Sequence, residues 1–299
     1  MAVQQSRIAD RAKAADAWPY QVKGSKLASL FKGKGDPRVL DNTRGLSICN
    51  HLTKTFTAVL KEELDPYYND FIPKQQHGAV AGRGTDLAHH FLLSALAYAA
   101  ALNLCCFILY VDLVKAFDGV LRELCFGFPQ YVGSSAEEQA QHLLSLGPTA
   151  EETSWVLEYL QTHGPAFKQM NVPDKLGALI SALHSKSWFR ADGASTFGVT
   201  AAGGRQGCKL GASIFNCCYA LALAQLVAAL GEEGIVARIS YKSSPFWSSS
   251  EGPTLEENML DMAFVDDLGV VLFAILPKVL SRVSLASCCA WTMCFPISP

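Results

Sequence analysis

Adjacent aspartates interrupt an apolar, strand-like run at Ala263-Phe264-Val265-Asp266-Asp267-Leu268-Gly269-Val270-Val271-Leu272. Two ionised carboxylates side by side repel each other, and flanking Phe, Val and Leu lower the local dielectric and worsen the repulsion. Two accounts are open. Asp suits turns and the flanks have strand composition, so the pair forms the turn of a β-hairpin; or the hairpin tip holds divalent metal and needs a third acid from elsewhere. A candidate third acid ends Phe107-Ile108-Leu109-Tyr110-Val111-Asp112, where an apolar strand runs straight into a carboxylate. Asp112 either caps the helix that follows or joins Asp266 and Asp267 in the outline of a two-metal site.

Two glycine-rich stretches add to these acids. Gln75-Gln76-His77-Gly78-Ala79-Val80-Ala81-Gly82-Arg83-Gly84-Thr85-Asp86 reads as a loop ahead of a helix capped by Thr85 or Asp86. Such loops can hold phosphate, although this one lacks the lysine spacing of a P-loop. Gly203-Gly204-Arg205-Gln206-Gly207-Cys208-Lys209-Leu210 is a second glycine turn.

Elements that position these residues follow from periodicity and punctuation. Residues 1–24 are an N-terminal helix or arm ended by Pro19, and Ser25–Phe31 is a strand before the Lys32-Gly33-Lys34-Gly35-Asp36-Pro37 turn. Apolar positions 52, 56, 59, 60 and 64 have helical spacing, and Pro66 should stop that helix. From Leu92 to Val111 twenty residues pass without a charge, long enough to span a membrane. The run changes character at Asn103, however, from Ala/Leu-rich to aromatic and β-branched, which fits a buried helix followed by a central strand. No membrane association is therefore expected.

Downstream, Ser135-Ala136-Glu137-Glu138 and Thr149-Ala150-Glu151-Glu152 are capping boxes that should each start a helix. Residues 134–170 carry five Glu and one Lys, a net of −4, so this section, about 127–166, is expected to be a surface insertion that avoids a phosphate backbone. Leu176–Leu183 should be a helix, Ser195–Thr200 a strand, and Ile214–Leu230 a long buried helix.

With 50% hydrophobic and 17% charged residues among 299, the chain can bury a core and is not a disordered sequence. The net charge is −2, yet residues 1–44 hold nine Lys/Arg against four Asp, a local +5. Ten cysteines without any C-x₂-C pair point to reduced thiols and an intracellular setting rather than zinc or a secreted disulfide framework.

Three of these segments resemble the palm motifs of reverse transcriptases, especially those of non-long-terminal-repeat retrotransposons and, more distantly, group II introns. Phe107–Asp118 resembles the first motif, Gly204–Leu210 with Phe215-Asn216 the second, and Phe264-Val265-Asp266-Asp267 the third. Upstream, Lys34-Gly35-Asp36-Pro37, Arg44-Gly45-Leu46-Ser47 and Gln76–Thr85 resemble the family's fingers segments. The resemblance spans roughly residues 25 to 275. In departure from the family, Gly45 and Lys209 stand where proline is common, and an insertion of about forty residues, against usual loop lengths, separates the first two palm motifs.

The resemblance implies an α+β polymerase right hand: an arm at 1–24, fingers at 25–103, a palm at 104–278 whose antiparallel sheet packs on helices, an apolar tail at 279–299, and no thumb. It implies RNA-directed DNA polymerase activity with two Mg²⁺ ions, Mn²⁺ being an alternative, on an RNA or DNA template with primer and deoxynucleoside triphosphates. By the same resemblance Asp112, Asp266 and Asp267 are the catalytic metal ligands, joined by the Leu113 carbonyl. Gln206 and Gly207 lie against the incoming nucleotide, and Arg44 with Lys34 or Arg83 holds its triphosphate. Phe117 falls where the family places a gate against a ribose 2′-hydroxyl, and it is equally suited to the core. The competing expectation is a catalytically inactive, truncated retroelement remnant that at most binds nucleic acid or a partner.

Overall fold

Proline, glycine and capping side chains cut the chain into short elements, seen in a computed structural model that describes residues 2–113, 116–205, 207–232, 238–242, 254–258 and 261–274. Lys115, Gln206 and the apolar tail at 279–299 lie outside the described residues. In chain order the elements are α1 (Ala2–Ala15), β1 (Gly24–Phe31), β2 (Thr43–Cys49), α2 (His51–Phe71), α3 (Thr85–Ala101), β3 (Cys105–Val111) and α4 (Arg122–Phe126). There follow α5 (Ala136–Ser145), α6 (Ala150–His163), α7 (Ala166–Gln169), α8 (Asp174–His184), β4 (Ser187–Ala191) and β5 (Gly198–Thr200). The last are α9 (Gly211–Glu232), β6 (Arg238–Lys242), β7 (Thr254–Asn258), β8 (Asp261–Phe264) and β9 (Asp267–Ala274). The protein is therefore α+β, with antiparallel and mixed sheets.

The described residues divide into two compact units, one built from residues 2–72 and 116–219, the other from 73–113 and those between 220 and 274. The expected fingers and palm each contribute to both units.

In the first unit, β2-β1-β4-β5 form a mixed sheet in which β1 runs parallel to β4 and the other pairs are antiparallel. Asn50 caps α2 by accepting from Thr53 N at 2.7 Å. This helix runs through Pro66, against the expectation that proline would end it. Proline removes the bond to the carbonyl of Glu62, but both residues are exposed, so the orphaned acceptor is open to water while Leu64 and Tyr68 stay fully buried. Both capping boxes form as expected, at Ser135 and Thr149. The acidic segment they open is less superficial than its charge suggested: Leu143 and Val156 are fully buried and Phe167 packs edge-on against Phe126. Amphipathic helices bury one stripe whatever their net charge.

In the second unit, β3-β9-β8 form an antiparallel sheet. One face packs on α3 through Ala88, Leu92 and Ala95 against Met262 and Val271, with Ile108 and Cys106 alongside. The uncharged run from Leu92 to Val111 is thus split between a helix and a strand, and Asn103 turns the chain in the left-handed region at φ +51°. Gly84, not Thr85 or Asp86, occupies the N-cap of α3; Asp86 lies in its first turn, where a carboxylate complements the helix dipole. The strands β6 and β7 pair as a separate ribbon. Among the described residues one helix, α9, is long and apolar enough to cross a membrane by length and composition, and 67% of that stretch is buried within the fold.

Candidate functional site

The strands β8 and β9 close on the pair Phe264↔Asp267, so the two-residue turn is Val265-Asp266 and Asp267 already begins β9. The expected turn, Asp266-Asp267, is thus displaced by one residue. Val265 has φ +58°, whereas Asp266 is not in the left-handed region. A positive φ at the first central position alone is the type II′ pattern, which glycine normally fills. A β-branched residue there is strained.

The Gly-rich loop after α2 holds this strained turn. Gln76, 1% exposed, accepts the Val265 N–H on Oε1 at 2.9 Å and donates from Nε2 to the Val265 carbonyl at 3.1 Å. The same Oε1 accepts the Gly78 N–H at 2.9 Å. Backbone bonds extend the seam, Ala263 N to Gln75 O at 3.0 Å and His77 N to Ala263 O at 2.7 Å. A Cβ on Gly78 would sit 2.2 Å from Val265 N, so this position admits only glycine. Burial, with Arg83 nearby, holds His77 below the usual imidazole range.

Asp112 follows directly on β3, whose ladder with β9 ends at Val111↔Leu268. Asp112 is thus the residue after the last paired one on β3, and Asp267 is the residue before the last paired one on β9. Asp112 and Asp267 are exposed and Asp266 is half-buried. The three expected acids therefore share one end of one sheet, with Leu113 next in the chain. Among the described residues, no group of three His, Cys, Asp or Glu side chains lies close enough to hold a metal ion. The donor set nonetheless suits hard divalent cations such as Mg²⁺ or Mn²⁺, being carboxylate alone without thiolate or imidazole. Exposure leaves Asp112 and Asp267 free to change rotamer toward one.

The remaining expected residues among those described, Arg83 apart, belong to the first unit. There the stretch after Asp112 meets the second glycine turn: Gly203 N donates to Val120 O at 2.8 Å and Gly204 N to Phe117 O at 2.6 Å. The half-buried Phe117 ring stacks on Phe215 at 4.8 Å, so packing accounts for it at least in part. Gly207 has φ +97°, and a Cβ there would lie 2.0 Å from the Ser47 carbonyl on β2. Arg205 is buried and donates to Gly24 O at 3.2 Å and Cys49 Sγ at 3.5 Å. Lys34 and Arg44 are both exposed on the β1–β2 hairpin, Lys34 in its connecting turn and Arg44 opposite Leu30. That turn is ordered by Asp36, which accepts from Arg38 and is held below the usual carboxylate range by it.

Arg83 is anchored within its own loop. Its Nη1 donates to the carbonyls of Pro73 at 2.6 Å and Gln76 at 2.9 Å, stapling the loop that carries Gln76.

Sequence reasoning missed two residues. Gln76 was visible only as part of a glycine-rich loop. Arg122, 6% exposed, spends its whole guanidinium on Gly203 O at 2.8 Å, His184 O at 2.7 Å, Thr200 O and Oγ1 at 3.2 and 2.9 Å, and Ala202 O at 2.8 Å. It thereby fixes the approach to the Gly203–Gly207 turn, and burial lowers its pKa to about 10.

No protein-family model matches the chain, and no curated protein matches it either.

Proposed function

We propose that the protein is the fingers-and-palm core of an RNA-directed DNA polymerase, extending a primer 3′-hydroxyl on a nucleic-acid template with deoxynucleoside triphosphates. The observation that carries this proposal is the β3–β9 ladder, which ends at Val111↔Leu268 with Asp112 next on one strand and Asp267 next on the other, Asp266 lying in the adjoining turn. Support comes also from the resemblance of the Gly203-Gly204 turn, bonded within the first unit to the Val120 and Phe117 carbonyls, to the second palm motif. Bound divalent cations would lower the pKa of the primer hydroxyl and neutralise the triphosphate. Asp112, Asp266 and Asp267 would hold those cations at the sheet end, and by the resemblance the Leu113 carbonyl would join them. By the resemblance Gln206 and Gly207 would lie against the incoming nucleotide, and Gly207 is a position where only glycine fits beside Ser47. Lys34 and Arg44 attract the triphosphate from the exposed hairpin.

Primer extension on an RNA template in Mg²⁺ or Mn²⁺ tests this proposal. Extension that disappears in the Asp266→Asn, Asp267→Asn double variant is expected; extension that survives it overturns the assignment. A second reading, a catalytically inactive retroelement remnant that retains template binding, is favoured by the absence of a converged three-ligand group among the described residues. Template binding without extension in either metal would establish it.

A further inference from the structure

Val265 adopts a conformation that its own side chain disfavours, and both polar groups of its backbone are bound by one buried amide from a distant part of the chain. Nothing in the local sequence asks for this turn, because type II′ hairpins take glycine where Val265 stands. The conformation persists because the surroundings over-determine it. Gln76 supplies the acceptor and the donor, Arg83 fixes the carbonyls of Pro73 and Gln76, and Gly78 leaves room for the Val265 peptide. The residue so constrained is the one immediately before Asp266, in the same two-residue turn.

We propose that Gln76 is a positioning residue for the aspartate cluster: its amide holds Val265 in the left-handed region and thereby sets Asp266 relative to Asp267 and Asp112. This rests on the proposal that these acids bind divalent metal. Residues that orient metal ligands from behind commonly govern affinity about as strongly as a weak ligand does, by roughly 10- to 100-fold. Gln76 does so through the backbone, by selecting the turn conformation. Arg83 acts one step further out, by shaping the loop.

The test has two readouts on the full chain. Hydrogen exchange at the Val265 amide, measured without metal, reads the clamp alone; Gln76→Met, which keeps volume but deletes both partners, should accelerate it strongly. Mn²⁺ binding, followed by loss of the free-ion electron paramagnetic resonance signal, reads the consequence. The wild-type chain should bind Mn²⁺ in a manner abolished by Asp266→Asn with Asp267→Asn, and Gln76→Met should weaken binding about tenfold. Adding Val265→Gly should recover most of that loss, because glycine enters the left-handed region without a clamp. A Gln76→Met protein that merely fails to fold would not be rescued by a substitution in the turn. Gln76→Glu keeps the acceptor but opposes the Val265 carbonyl with a second one, and should weaken binding as well.

Unchanged exchange in Gln76→Met overturns the clamp. Accelerated exchange with unchanged Mn²⁺ affinity, or an affinity loss that Val265→Gly does not recover, overturns the positioning role. Wild-type Mn²⁺ binding independent of the aspartates overturns the metal proposal itself, and the exchange result then stands apart from it.

Discussion

Gly207 lies so close to Ser47 that a Cβ on the glycine would fall 2.0 Å from the serine carbonyl oxygen. The contact joins the glycine turn after β5 to β2, and it explains the residue type in two ways. The backbone at φ +97° is one that side chains resist, and the approach leaves no space for a methyl group.

Gly207→Ala should therefore cost about 3 kcal/mol or more, combining backbone strain with a steric clash against main chain that cannot rotate away. Gly33→Ala is the control: φ is +78° but nothing lies within 4 Å of the added methyl, so only the conformational cost of about 1 kcal/mol applies. Urea unfolding midpoints of the two variants separate the effects. Equal losses would mean that the close approach to Ser47 contributes nothing.

Arg122→Met removes five hydrogen bonds from a buried guanidinium and strands the carbonyls of His184, Thr200, Ala202 and Gly203. The expected destabilisation is about 3–5 kcal/mol, as for one partner removed from a buried charged network. Arg122→Lys should recover little of it, because an ammonium is a point charge that does not reproduce the planar fork. Chemical denaturation of the three proteins measures both. A lysine variant as stable as wild type would show that charge rather than geometry holds the turn.

These two residues mark where sequence was legible and where it was not. The capping boxes at Ser135 and Thr149, the strand ending at Asp112 and the hairpin at Asp266 could be read because each is a local pattern of a few residues. The turn itself was misplaced by one, because Val265 is a poor turn residue on propensity and is held there by Gln76, 189 positions away. Arg122 carried no signal, since its partners are main-chain carbonyls that any residue supplies. The strand β4 was missed for a related reason. Its register with β1 is parallel, and that pairing is set by the fold rather than by alternation along Ser187–Ala191.

Burial, reinforced by Arg122, pushes the pKa of His184 down to about 3. Its Nδ1 lies 2.9 Å from the Ile180 carbonyl, which fits a neutral ring donating from Nδ1, with Nε2 facing Cys208 Sγ at 3.9 Å. A folded pKa below the unfolded value of about 6.5 means that the unfolded chain takes up a proton which the folded chain refuses. The contribution is fully present above pH 6.5 and is lost on acidification toward the folded value, at up to about 1.4 kcal/mol per pH unit. Between pH 7 and pH 5 the wild-type protein should lose about 2 kcal/mol more stability than His184→Asn. Urea titrations at the two pH values check it. Parallel losses in both proteins would place a solvated imidazole at this position.

Pro66 sits inside α2 with no N–H to offer the Glu62 carbonyl, and both residues face solvent. Elsewhere in a helix proline costs about 3 kcal/mol, from the missing bond and from its ring pressing on the preceding turn. Here the freed carbonyl belongs to an exposed residue open to water, and the buried Leu64 and Tyr68 anchor the helix on either side of Pro66. Asn216 Nδ2 donates to Tyr68 Oη at 2.7 Å, which fixes the second half of α2 to α9. Pro66→Ala should therefore raise stability by about 1–2 kcal/mol, less than the full proline cost because the orphaned carbonyl is already open to solvent. Thermal and urea midpoints measure the change. A decrease instead of an increase would mean that the placement of Tyr68 against Asn216 depends on Pro66, and that α2 is shaped by the proline rather than merely tolerant of it.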